Sequence, residues 1–390
     1  MTRSPVPIII SGPSCSGKSS IAKELEKTGK FSIVKAITTR TKRPDDTYYS
    51  YKSADGFREL INQEKLLIFT TYLEDQYGIL QSEYDSIDSS KHPILVLTSE
   101  SSARFMEKKK TEAIWFYIDA DDSILLDRYE NHRKYDAEKI KELVAYNAKD
   151  REFKKKANYV LSSTDNNFDS MIELITLLVE SYHTGGGLSH RIISLMLDCN
   201  MLLDNASRSN IKGASYDLSL GDEYYFDGKI KKLTGSSSFL TIEPYDYAIV
   251  SCKESARIPR DIIGKFGLSV SLFCQGIILS NGPQIDPGFN GTLFCLLFNT
   301  SNQAVHLKRG MHYATIEFNK LIEPAPPYEG SYQGKTHIID YIPANALHGA
   351  INELKKEIEK LKRESKLMQN LYLGVVGIMF AILSILLVLR

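Results

Sequence analysis

The stretch Ser11 to Ser20 reads SGPSCSGKSS and follows an apolar run, Val6-Pro7-Ile8-Ile9-Ile10. Within it, Gly12 stands four residues before Gly17-Lys18-Ser19, the spacing of a phosphate-binding P-loop. Chemistry sets that spacing: glycines let backbone N–H groups close around phosphate oxygens, the lysine reaches the β- and γ-phosphates, and the next hydroxyl can hold Mg2+. Gly12, Ser14, Gly17, Lys18, Ser19 and Ser20 are therefore the candidate nucleotide-binding residues, with Lys18 also a catalytic candidate and Ser19 the metal ligand. ATP and Mg2+ are the expected cofactors. A Gly/Ser-rich turn is the alternative reading. It is disfavoured because a strand candidate precedes the loop and the amphipathic run Ser19 to Lys27 follows it.

With the P-loop in place, the segment Thr38-Thr39-Arg40-Thr41-Lys42-Arg43-Pro44, then Tyr49 and Tyr77-Gly78, resembles the guanylate kinase family over roughly Pro5 to Thr164. The resemblance implies that Arg40, Arg43, Tyr49 and Tyr77 grip the phosphate of an acceptor. That role is physically sound, because guanidinium forks pair bidentately with phosphate and phenol hydroxyls add oriented donors. Arg128 and Arg133 match the place of the family's lid arginines, where cations offset charge on the phosphoryl group in transit; a solvated helix face is the other reading. The departures are informative. The family's acidic base-reading residues fall at Ile68 and Thr98, and its serine after Tyr-Gly falls at Ile79. Guanine's N–H donors need acceptors that isoleucine lacks, so GMP is not the expected acceptor. Another nucleoside monophosphate and ribose 1,5-bisphosphate both stay open.

A second set of motifs lies downstream. Ser215-Tyr216-Asp217-Leu218-Ser219-Leu220-Gly221, Glu254-Ser255, Ile258-Pro259, Ile285-Asp286-Pro287-Gly288-Phe289-Asn290-Gly291, Asn299 and Gly310-Met311 resemble the dCTP deaminase and trimeric dUTPase family. The resemblance implies an all-β distorted jelly roll forming a homotrimer with nucleotide sites between subunits. It also implies substrate contacts from Asp286 and Phe289, the latter stacking on a deoxyribose, although Asp in an IDPG stretch is equally a good turn residue. The family's Arg-Ser-Ser falls at Leu268-Ser269-Val270, and its proton-handling glutamate at Leu296. Leucine moves no protons, so a catalytically degenerate binding and trimerisation module is expected.

These residues need elements to carry them. Strand candidates Val6 to Ile10, Pro93 to Leu97, Ala113 to Ile118 and Tyr159 to Leu161 alternate with helical stretches Ser19 to Lys27, Asp122 to Asn131, Asp136 to Lys149 and Phe168 to Ser181. That alternation predicts an α/β P-loop kinase domain over residues 1–182, with its ligand at the carboxyl ends of the strands. A flexible Gly-rich linker is predicted at 183–188, a β domain at 189–322 and a Pro-containing connector at 323–346. Leu347, Ile351, Leu354, Ile358 and Leu361 keep a heptad, so residues 347–370 read either as a short coiled coil leaning to a dimer or as a solvated stalk.

Leu371 to Leu389 holds no charge, and its nineteen residues span about 28 Å as a helix, enough to cross a bilayer. With Lys355, Lys356, Lys360, Lys362, Arg363 and Lys366 ahead of it, the expectation is a single-pass C-terminal anchor with the folded domains in the cytoplasm. No signal peptide is expected from Met1 to Pro7. The chain of 390 residues balances 48 basic against 48 acidic side chains, which gives no footprint for nucleic acid, and its five scattered cysteines read as reduced thiols. The expected partners are thus nucleotides, the membrane and further copies of the chain. Two functions compete: a membrane-tethered kinase, and a nucleotide sensor with output through the membrane helix, as in phage or stress defence. An active dUTPase or dCTP deaminase is a third reading.

Overall fold

The computed structural model describes residues 5–42, 47–109, 113–234, 239–280, 282, 284–342 and 350–388. Strand Ile8–Ser11 lies at the centre of a five-stranded parallel sheet, between His92–Val96 and Ile114–Asp119, with Phe31–Ile33 and Tyr159–Ser162 at the edges. Its residues are buried on both faces, which is why it reads as a continuous apolar run. Ile8 and Ile10 face the helices Lys18–Lys27 and Phe168–Glu180, where Leu25, Met171 and Leu174 lie. Ile9 turns the other way, towards Leu95, Trp115 and Tyr117.

Two features of this unit depart from the sequence reading. A four-stranded sheet, ordered Tyr49–Tyr51, Ala36–Thr38, Asp75–Leu80, Leu66–Tyr72, stands beside the parallel one. Its first two strands have three residues each, too few to show a period. The helix expected over Asp122 to Asn131 is α-helical only for Asp122–Asp127 and then widens into a π-turn, Arg128–His132. The Arg133 N–H donates to the Arg128 carbonyl at 3.0 Å, five residues back, and such insertions gather at functional sites.

The second unit is β-rich. Strands Ser215–Phe226, Tyr247–Arg257, Asn290–Asn299 and His312–Lys320 form the body of a nine-stranded sheet, and Phe239–Ile242 pairs separately with Val305–Lys308. Alternate residues of Asn290–Asn299 are buried, the pattern of a strand with one face on the core.

The glycines between the units do not hang free. Gly186 and Gly187 pair with Lys320 and Asn319, and one apolar core runs from Leu174 and Leu178 into Ile193 and Met196. Polar contacts reinforce the junction. The Tyr159 hydroxyl donates to the buried Asp261 carboxylate. Lys320 Nζ donates to the Ser181 carbonyl at 2.7 Å, and Arg260 donates to the Lys156 carbonyl at 3.2 Å. Burial raises the Asp261 carboxyl above its ordinary range.

Residues 322–342 lie along the β unit. The Gln333 amide bonds the Gly288 carbonyl at 2.8 Å, His337 Nδ1 meets Glu223 at 3.0 Å, and Ile338 is wholly buried beside Tyr225 and Ile249. Beyond residues 343–349, where Leu347 lies outside the described residues, a single helix runs from Ala350 to Val388. Ile358 and Leu361 of the heptad are exposed on it at 49% and 63%. The segment Glu357–Ile385, with mean hydropathy 1.8, is long and apolar enough to cross a membrane.

Tyr159→Phe removes the donor from a buried carboxylate. The expected cost is about 1–3 kcal/mol of stability, read as a lower denaturation midpoint in the emission of Trp115, the chain's one tryptophan. An unchanged midpoint would show that the junction does not depend on this bond.

Candidate active site

The P-loop opens where strand Ile8–Ser11 ends. Gly12 has φ +133°, and a Cβ there would sit 2.0 Å from the Ile118 carbonyl oxygen, so the chain can pass the neighbouring strand only as glycine. Gly17, at φ +101°, turns the loop into helix Lys18–Lys27, whose first N–H groups carry no side-chain cap and are open to an anion. Lys18 Nζ donates to the Gly12 carbonyl at 2.8 Å and to that of Pro13. Burial holds its ammonium below the ordinary lysine range, and the Asp150 carboxylate partly opposes that shift.

A cavity of about 640 Å³ extends from this loop. Gly12, Ser14, Gly17, Lys18, Ser19 and Ser20 line one end, with Arg128 and Arg133 above them; Arg40, Tyr49 and Tyr77 line the other. Arg43 lies outside the described residues. The π-turn brings Arg128 to the loop, where it donates to the Cys15 carbonyl at 3.1 Å and pairs with Asp165 at 3.1 Å. A solvated face is thereby corrected: the Arg128 side chain is only 15% exposed. Tyr129, which the sequence did not single out, donates to the Ser14 carbonyl at 3.1 Å and accepts from Asn147 at 2.8 Å. Burial pushes its hydroxyl up to about 12, so it stays a neutral donor.

At the far end the Arg40 guanidinium lies 5.2 Å from the centre of the Tyr49 ring and donates to the Thr41 carbonyl at 3.0 Å. Tyr49 and Tyr72 both pack edge-on to Tyr77, at 6.3 and 6.1 Å. Ile68, Ile79 and Thr98 do line the cavity, with Thr70, Val96, Leu97 and Ser101. This end combines cations and phenols with aliphatic and hydroxyl groups.

The sequence reading missed Asp150. It sits on helix Ala137–Arg151, is 4% exposed and lines the cavity. Its Oδ2 accepts from Ser99 at 2.9 Å and from the Tyr117 hydroxyl at 3.0 Å. Ser99 also meets Ser11 at 3.2 Å, and Trp115 Nε1 donates to Ser11 at 2.7 Å. No linear motif marks such a residue, since only the fold brings that helix to the loop. The set as a whole fits a Mg2+-nucleotide: open helix N–H groups, a half-buried lysine, the Ser19 hydroxyl, arginines and a carboxylate lining one cavity.

In the β unit the candidates stand apart from this cavity. Asp286 begins a turn in which the Phe289 N–H donates to its carbonyl at 3.2 Å. The Phe289 ring, expected to meet a sugar, packs edge-on at 5.5 Å against Tyr328 of the following segment. Leu296 packs in an apolar cluster around Tyr225, Ile249 and Ile338. Leu268 lines a separate groove with Phe266, Phe273 and Ile277. Glu254 is buried as a structural acceptor, taking the Ser219 N–H at 2.9 Å and the Tyr216 hydroxyl at 3.2 Å.

The dCTP deaminase-like family model matches residues 188–321. The dCTP deaminase of Thermococcus kodakarensis is 40% identical over 139 residues, covering 35% of this chain and 88% of that protein. The chain belongs to the dCTP deaminase-like family through this half. The enzyme of the same name from Pyrococcus horikoshii is 34% identical over 140 residues, covering 36% of this chain and 88% of that protein. The guanylate kinase family model matches residues 4–182. The guanylate kinase of Mycoplasma mobile is 33% identical over 94 residues, or 23% of this chain, and the match spans about half of that protein's length, 47%. The chain therefore joins a guanylate kinase-like region to a dCTP deaminase-like domain, and the cavity lies in the first.

Gly12→Ala tests the loop. A side chain in that backbone region costs about 1–3 kcal/mol, so a lower melting temperature and loss of ATP binding are expected together. Undiminished ATP binding would show that the loop does not depend on this close approach.

Proposed function

We propose that the kinase domain transfers the γ-phosphoryl group of ATP, with Mg2+, to a small phosphorylated acceptor that is not GMP. The observation that carries this reading is that Arg40 and Tyr49 line the same cavity as the P-loop, while Ile68, Ile79 and Thr98 line it at the positions where the family's base-reading groups fall. Lys18, Arg128 and Arg133 supply positive charge where it develops on the phosphoryl oxygens, and Arg40 with Tyr49 and Tyr77 orients the acceptor. A nucleoside monophosphate is the acceptor we favour. Ribose 1,5-bisphosphate is a second candidate, supported by the hydroxyls of Thr70, Thr98 and Ser101 at an end that suits a sugar as well as a base.

The deaminase-like domain acts in this proposal as a nucleotide-binding and trimerising module without deaminase activity, since leucine stands at both positions where the family carries its charged groups. The C-terminal helix anchors the protein in a membrane, and the basic residues before the span keep the folded domains in the cytoplasm. A sensor reading is favoured by one observation. Residues 322–342 rest on the deaminase-like domain and lead towards the membrane helix, a short path from nucleotide to anchor.

Labelled ATP incubated with the full-length protein in detergent and a panel of monophosphates and bisphosphates is expected to label an acceptor other than GMP. Binding of ATP without transfer to any acceptor would leave the sensor in its place. Lys18→Ala is expected to abolish ATP binding, and equal affinity in the mutant would remove the kinase assignment. Incubation with dCTP is expected to give no dUTP; turnover would mean that a carboxylate replaces the one missing at Leu296.

A further inference from the structure

A P-loop kinase needs more at its metal than the loop hydroxyl. In P-loop enzymes an acidic side chain shares the Mg2+ with the serine or threonine that follows the lysine. Here the strand beside the P-loop strand, His92–Val96, runs on into Leu97 and Thr98 and brings no acid. The other neighbour ends in Asp119, but that carboxylate is bound by Arg151 at 3.2 Å and by Lys154 at 2.7 Å. Asp165 lines the cavity, yet its side chain is 82% exposed and held by Arg128.

We propose that Asp150, delivered by helix Ala137–Arg151 instead of by a strand end, is the carboxylate of the Mg2+ site, acting with Ser19. Both of its described hydrogen bonds end on Oδ2, which Ser99 and Tyr117 hold in place. That leaves Oδ1 for the cavity, which Asp150, Lys18 and Ser19 all line. A carboxylate so deeply buried is costly unless a cation meets it. Lys18, whose Nζ donates to the Gly12 carbonyl without ligand, is free to turn to the phosphates when the nucleotide arrives. A bound Mg2+ would supply the cation that Asp150 needs, with the two hydroxyls fixing the orientation of the carboxylate as outer-shell partners do. A purely structural acceptor would need the oxygen but not the charge, since an amide oxygen can take both hydroxyl protons.

The inference rests on the reading that this cavity binds ATP·Mg2+, and Asp150→Asn separates the two. ATP affinity of the full-length protein is measured by titration calorimetry with Mg2+ and with EDTA. Wild type is expected to bind more tightly with Mg2+. The variant is expected to lose about 10- to 100-fold of that gain, while its affinity without metal is unchanged or improved, because a negative charge near the triphosphate is gone. A variant with the full Mg2+ gain overturns the assignment and leaves Asp150 a structural residue. If the variant does not fold, wild type loaded with Fe2+ and ATP answers instead: peroxide and ascorbate are expected to cut the backbone near both Ser19 and Asp150. Cutting confined to the P-loop overturns the proposal. Failure of wild type to bind ATP under either condition defeats the parent reading as well.

Discussion

The amino-terminal site depends on the closeness of Gly12 to the Ile118 carbonyl. Two parallel strands, buried on both faces, end side by side, and the chain leaving the first must turn across the end of the second. With no Cβ at Gly12 the turn clears Ile118, and the loop wraps so that Gly17 sets the helix start facing the cavity. The remaining parts of the site are referred to that loop. Tyr129 and Arg128 bond its carbonyls, Lys18 folds back on it, and Asp150 lines the same cavity on a braced polar chain. These contacts hold the loop and its open helix N–H groups in place around the cavity.

The same rigidity continues into the second domain. A shared apolar core, a strand pair at Gly186 and Gly187, and buried polar contacts around Asp261 join the two families into one body. Interfaces of this kind do not behave as loose linkers, whose expected sign is a polar and exposed boundary. In the deaminase-like domain several of the motif residues are held by their neighbours. Leu296 belongs to an apolar cluster closed by Ile338, Phe289 is packed by Tyr328, and Glu254 serves backbone and phenol donors.

Much of this was legible in the residues. The buried strand, the P-loop spacing and the helix after it are local patterns, and local patterns survive in a sequence. The TTRTKR stretch and Tyr49 could be placed because their motif is short, and the two family resemblances carried the β-rich half. The second sheet was hidden in part because two of its strands, Ala36–Thr38 and Tyr49–Tyr51, have only three residues each. The π-turn at Arg128 was hidden because a single widened turn within a helical run leaves too few residues to show its own period. Gly185 to Gly187 reads as a linker by composition, while its strand pairing depends on Lys320, more than a hundred residues away. Asp150 was invisible for a similar reason: it is one acid on a charged helix, and only the tertiary arrangement of Ser99, Tyr117 and Lys18 distinguishes it from Glu138 or Glu142.

The central claim is that this cavity clasps phosphate oxygens and does not read guanine. Its most direct test is to purify the full-length protein, release whatever small molecules it carries, and identify them by mass spectrometry. The account predicts an adenine nucleotide together with a phosphorylated acceptor that contains no guanine. Recovery of GMP as the bound acceptor would contradict it.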